Sequence, residues 1–126
     1  MSTSNYGTMG STSDPKQFVL QLLKKVLLNN KNAVKFLDDQ DYLGLEKRVT
    51  NSIHCLEELN LGLNRENYNP TVEMVSAHYE QMINFFEEVL LDIEQKSFEK
   101  EKFDKVIIAT DKIIKNLYDG FAGMRD

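Results

Sequence analysis

The sequence predicts an all-α protein: an antiparallel up-down-up-down four-helix bundle behind a mobile N-terminal arm. Three observations predict it. Apolar residues recur every three or four positions from Asp14 onward, the two prolines stand where helices would open, and short polar turns separate the periodic segments. A chain of 126 residues, 41% hydrophobic and 28% charged, can build one compact core but not two. No strand-like alternation extends beyond a few residues, and no repeat of solenoid length is visible.

Residues 1–13 are mostly Ser, Thr, Gly and Asn, with Tyr6 and Met9 the large apolar side chains among them. Such a segment buries too little to offset its ordering entropy and reads as a mobile arm, leaving residues 14–126 as the bundle domain. The first helix opens with Ser13 or Asp14 as N-cap and Pro15 at the first helical position, where its missing N–H costs nothing. It runs to about Asp38 on a stripe of Val19, Leu22, Leu23, Val26, Ala33 and Leu37. Asn30 falls where another apolar residue would be expected, so the polar run Asn29 to Asn32 reads as its weakest point.

The second helix carries Leu45, Val49, Ile53, Leu56, Leu59 and Leu63 in steps of three and four, and the polar segment Asn64 to Asn69 ends it. Asn69 then caps a third helix with Pro70 at its first position. That helix reads Val72, Val75, Tyr79, Met82, Ile83, Phe86, Leu90 and Ile93 and stops near Lys96. Ser97 is the expected cap of a fourth, whose stripe is Phe103, Val106, Ile107, Thr110, Ile113, Ile114 and Leu117, with Gly120 as a left-handed stop. Four such segments can bury their stripes only against one another.

Composition excludes several classes of function. Fifteen basic against twenty acidic residues give a net charge of −5, and no basic run interleaves with aromatics, so nucleic acid is an unfavourable partner. No apolar run approaches the roughly 18 residues of a spanning helix, and the N-terminus has no secretory signal, which predicts a soluble cytoplasmic protein without a membrane partner. The single cysteine, Cys55, allows no internal disulfide and no zinc cluster.

Catalytic constellations are equally sparse. The Glu-x-x-His pair that supplies metal ligands in helix bundles is absent: Asn51 precedes His54 by three positions, and Val75 precedes His78. His54 and Cys55 point about 100° apart on a helix and do not form a dyad. No phosphate loop or nucleophile elbow is present. The expectation is a protein that is not an enzyme and carries no cofactor or metal. One alternative is a histidine phosphotransfer domain, also a four-helix bundle, with His54 as the phosphorylated residue and Leu56 two positions on. Glu57 and Glu58 stand where that class has Lys to balance the phosphoryl charge. Another is a helical protein-binding adaptor of a different kind.

More informative is an apolar surplus. Beside the core row of the third helix, Met74, Phe85 and Val89 form a second row with His78 among them, and on the first helix Leu20 and Leu27 lie off the main face. A bundle helix ordinarily needs an apolar face about 100° wide. The surplus predicts a groove for apolar helices of another protein.

The layout resembles that of the flagellin export chaperones, the FliS family, over essentially the whole chain. An arm bearing Tyr6 leads through Ser11, Thr12, Ser13, Asp14 and Pro15 into Gln17 to Leu23, as in the family's Thr/Ser-x-x-Pro entry. The run Leu56, Glu57, Glu58, Leu59, Asn60, Leu61 is similar to the end of its second helix. Tyr79, Glu80, Gln81, Met82 and Ile83 are similar to its Leu-Tyr-x-Tyr-Met stretch. The family's Leu-Tyr-Asp/Glu-Gly run reads Leu23, Lys24, Lys25, Val26 here, and Tyr118 or Phe121 takes the place of a tryptophan in the last helix, as in a distant branch.

The resemblance implies a cytosolic chaperone that binds the disordered C-terminal segment of flagellin, prevents premature polymerisation and delivers it to the flagellar type III export apparatus. The expected client-binding residues are Leu20, Leu27, Met74, Phe85 and Val89, with Tyr6 plugging the groove when the client is absent. A homodimer of the client-free protein through the same groove is left open.

Overall fold

Local capping chemistry decides where each helix starts. The computed structural model describes residues 14–66 and 69–124, in which four α-helices run α1 (Pro15–Asp38), α2 (Tyr42–Leu61), α3 (Pro70–Glu94) and α4 (Lys100–Ala122). The expected arm, with Tyr6, lies outside the described residues. Asp14, not Ser13, caps α1: its carboxylate accepts from the backbone N–H of Lys16 at 3.0 Å and of Gln17 at 3.4 Å. Asp41 accepts from Gly44 N–H at 2.9 Å to open α2, and Asn69 accepts from Thr71 N–H at 2.9 Å to open α3.

Helices α1 and α3 end on the same device. Gln40 and Lys96 both adopt φ 58°, in the left-handed region. The N–H of Asp41 reaches Phe36 O at 2.8 Å and that of Gln40 reaches Leu37 O at 2.9 Å; Ser97 to Asp92 at 2.8 Å and Lys96 to Ile93 at 3.1 Å repeat the arrangement. These are Schellman closures built without glycine. They also correct the expected start of α4. Ser97 is engaged in closing α3, so α4 begins three residues later behind Glu99, whose side chain makes no capping hydrogen bond.

Two other boundaries differ from expectation. Helix α2 stops at Leu61, with Gly62 as its C-cap, so Leu63 lies beyond the helix rather than on its stripe. Gly120 is an interior residue of α4, which continues to Ala122 and is capped by Gly123 at φ −83°. Gly120 therefore does not serve as a left-handed stop.

Side-chain pairings fix the directions of the helices. Asn29 faces Asn51 across α1 and α2, and Phe36 lies over Gly44 toward their shared turn, so these two run antiparallel. Lys16 reaches Met124, Lys24 lies over Tyr118, and Asn30 meets Thr110, which makes α1 and α4 antiparallel as well. Asn60 meets Ser76 across α2 and α3. Each helix therefore packs against two others around the ring, α1 closing it against α4. The pair α1–α2 is the most intimate, and α3–α4 is the least.

One core fills the centre. Leu23, Leu45, Leu56, Tyr79, Phe86 and Phe103 are among its fully enclosed side chains. Its middle layer is polar on the α1 side, which corrects the reading of Asn29 to Asn32 as a weak point. Asn29 and Asn30 are buried. Asn29 Nδ2 donates to Asn51 Oδ1 at 2.8 Å, while Arg48 donates to Asn29 Oδ1 at 3.2 Å. Asn30 Nδ2 donates to Thr110 Oγ1 at 3.0 Å and to Asp111 Oδ1 at 2.8 Å, and Thr110 Oγ1 in turn donates to Val106 O at 2.8 Å. Consecutive residues point about 100° apart, so this pair reaches α2 with one amide and α4 with the other.

Candidate protein-binding surface

Each bundle helix touches two neighbours, so its buried arc is wider than the single face of an isolated surface helix. That geometry redistributes the expected second apolar row. Leu20, 6% exposed, and Val89, 3% exposed, are buried and offer no surface to a partner, which corrects their expected place outside the core. Leu27 and Phe85 are half-buried and packed on the core. Met74 alone of the five stands out in solvent, at 53% exposure. Tyr6 lies outside the described residues.

Other aliphatic side chains carry the surplus instead. Leu28 on α1, Leu43 and Leu61 on α2, Leu91 on α3 and Ile108 on α4 are all exposed, from 47% at Leu91 to 71% at Leu61. Every helix thus keeps at least one large apolar side chain in water. Leu28 and Ile108 occupy the outer faces of adjacent helices. Between those helices runs an open groove lined by Leu27, Val34 and Ile107, with Asn30 and Asp111 at its floor and Lys31 and Lys115 at its edges. Ile108, Lys112 and Asn116 extend it over the back of α4.

Charge is segregated across the bundle. Helix α1 carries five lysines and one acidic residue, Asp38, whereas α3 carries six acidic residues and no basic one. The two stand diagonally opposite. On the α3 side, Lys102 of α4 bridges Glu88 and Asp92 at 3.0 Å each, and these hydrogen bonds, that to Asp92 first, hold its ammonium above the ordinary lysine value. On the α1 side, Lys31, Lys112 and Lys115 form no ion pair among the described residues.

The residues considered for chemistry are placed separately. His54 is exposed on α2, and His78 is half-buried on α3. Cys55 is buried; desolvation pushes its thiol above the ordinary value, opposed by Lys25 and reinforced by Glu58. It donates weakly to Asn51 Oδ1 at 3.7 Å. Among the described residues no group of three or more His, Cys, Asp or Glu side chains is arranged to hold a metal ion, and no helix is long and apolar enough to cross a membrane.

Sequence periodicity did not single out Val34, Ile107 and Ile108 as surface. A signal was nonetheless there: Lys24 and Lys31 lie two turns apart on α1, and Lys112 and Lys115 one turn apart on α4, beside apolar residues outside the deepest stripe. In comparisons with known proteins the chain matches no family model, no curated protein and no solved structure. What the fold itself defines is an all-α four-helix bundle with apolar side chains left outside its core.

Proposed function

We propose that this bundle is a cytoplasmic export chaperone, not an enzyme, which holds the disordered C-terminal segment of flagellin, keeps it from polymerising and passes it to the flagellar export apparatus. The observation that carries this reading is the presence of exposed aliphatic side chains on all four helices, Leu28, Leu43, Leu61, Met74, Leu91 and Ile108. Isolated exposed apolar residues are ordinary on any protein. Their spread around the bundle suits an extended guest, because a segment that folds on binding can wrap several faces, gaining apolar burial against its ordering entropy. The family resemblance of the arm, the Pro15 entry and the Leu56 to Leu61 run supports the same reading.

The test uses the full chain and a flagellin C-terminal peptide. Met74→Glu and Leu91→Glu place charges at exposed sites and leave the thermal midpoint within about 2 °C, since surface substitutions change stability by about 0.5 kcal/mol or less. Together they should weaken peptide binding at least about tenfold, the equivalent of ~1.4 kcal/mol. Unchanged affinity in a folded double variant would remove the flagellin reading from α3.

A further inference from the structure

We propose that the lysine-rimmed seam between α1 and α4 is a docking groove for an acidic amphipathic helix. The proposal stands on the chemistry of this seam and does not require flagellin to be the client. Three features meet there.

The first is shape. Leu27 and Val34 lie seven residues apart on α1, opposite Ile107 on the antiparallel α4, and all three are half-buried along an open furrow. Seven residues span about 10 Å of helix. A guest helix offering apolar side chains at i, i+3 or i+4 and i+7 meets that length with its buried face. Ile108, 69% exposed, stands at the lip where it would cover the guest's flank.

The second is charge. Lys31 and Lys115 edge the furrow and Lys112 adjoins it, none of them ion-paired among the described residues. The carboxylate in the floor, Asp111, already accepts from Asn30 at 2.8 Å. In a chain of net charge −5 this face is a local excess of positive charge, and the complement is a helix with acidic residues flanking its apolar stripe.

The third is concavity. A lipid surface would be met by protruding apolar side chains within a basic ring, whereas Leu27, Val34 and Ile107 are recessed between two helices. A phosphate backbone would gain nothing from the apolar lining of Leu27, Val34 and Ile107 and would be repelled by the Asp111 carboxylate.

Fluorescence anisotropy with the full chain tests this. The probe is a labelled peptide of about four helical turns, with Leu at core spacing and Glu on both flanks. At low salt it should bind at least about tenfold more tightly than its counterpart with each Glu replaced by Lys, and added salt should narrow the gap. The double substitution Lys31→Glu and Lys115→Glu, at exposed positions, should invert the preference. Ile108→Asp should weaken the acidic peptide while the far-ultraviolet circular dichroism stays unchanged. Equal binding of the two peptides, binding of neither, or insensitivity to the double reversal would overturn the proposal. So would co-sedimentation with phosphatidylglycerol vesicles in place of peptide binding.

Discussion

Asn30 and Ser52 are both buried, polar and close to the middle layer of the bundle, yet they should behave oppositely on truncation. Asn30 satisfies its amide with Thr110 and Asp111, whereas Ser52 Oγ has no hydrogen-bond partner among the described residues. Removing a satisfied amide loses those bonds and leaves a hole, so Asn30→Ala should destabilise by about 1–3 kcal/mol. Removing an unsatisfied hydroxyl relieves a desolvation cost, so Ser52→Ala should be neutral or stabilising by up to ~1 kcal/mol. Urea unfolding of the two variants checks the pair. Equal losses would mean that the middle layer responds to volume alone and not to hydrogen bonding.

The same residues mark a boundary of what sequence can reveal. Periodicity registered Asn30 as a gap in an apolar stripe, and a gap carries no information about a partner 80 positions away in the chain. Leu20 and Val89 fail in the reverse direction. Judged against a single helical face they fall outside it, yet both are buried, and Val89 is part of the central core, because each helix meets two neighbours and its buried arc is wider than one face.

At the scale of the elements, α1 and α3 were legible at their starts and, within two residues, at their ends, whereas the start of α4 was not. Asp14-Pro15 and Asn69-Pro70 announce α1 and α3 through one local mechanism, a side-chain acceptor followed by a residue that needs no N–H partner. The ends of those helices use Gln40 and Lys96 in a conformation that normally selects glycine, so the stop of the apolar stripe, not a glycine, marks them. A left-handed non-glycine residue costs roughly 1–2 kcal/mol, partly offset by the entropy glycine would lose. Gln40→Gly and Lys96→Gly should therefore each stabilise the bundle by about 0.5–1 kcal/mol, read as a rise in the thermal midpoint of a few degrees. A fall in both would show that side-chain contacts at these turns outweigh the backbone strain.

At the seam between α3 and α4, the pair of neighbours that packs least closely, Lys102 clamps Glu88 and Asp92. Its ammonium is held above the ordinary lysine value by those hydrogen bonds. The sign follows from the direction. A raised value in the folded state means that the contribution is fully present below the ordinary value of about 10.4 and is lost as pH rises through the folded one. The midpoint difference between the native chain and Lys102→Met should thus be constant from pH 7 to 9 and shrink above about pH 10.4. A difference that persists at higher pH would assign the effect to packing of the lysine stem.

For the molecule as a whole, the bundle follows from apolar periodicity because four stripes have no other place to be buried. The binding surface was less legible. The sequence contained the surplus of apolar residues and the contrast between a lysine-bearing α1 and an acidic α3, but only packing decides which side chains remain outside. It enclosed Leu20 and Val89, half-covered Leu27 and Phe85, left Met74 exposed and brought Ile107 and Ile108 to a seam beside Lys115. The proposed chaperone role depends on that outer apolar surface taking up a guest chain.

Isothermal titration calorimetry of the full protein with a flagellin C-terminal segment, repeated at several temperatures, tests this most directly. A bundle that holds a guest chain should show saturable binding at one guest per bundle, with a large negative heat-capacity change from apolar burial and coupled folding. No heat of binding at any temperature, together with a thermal midpoint unmoved by excess segment, would contradict it.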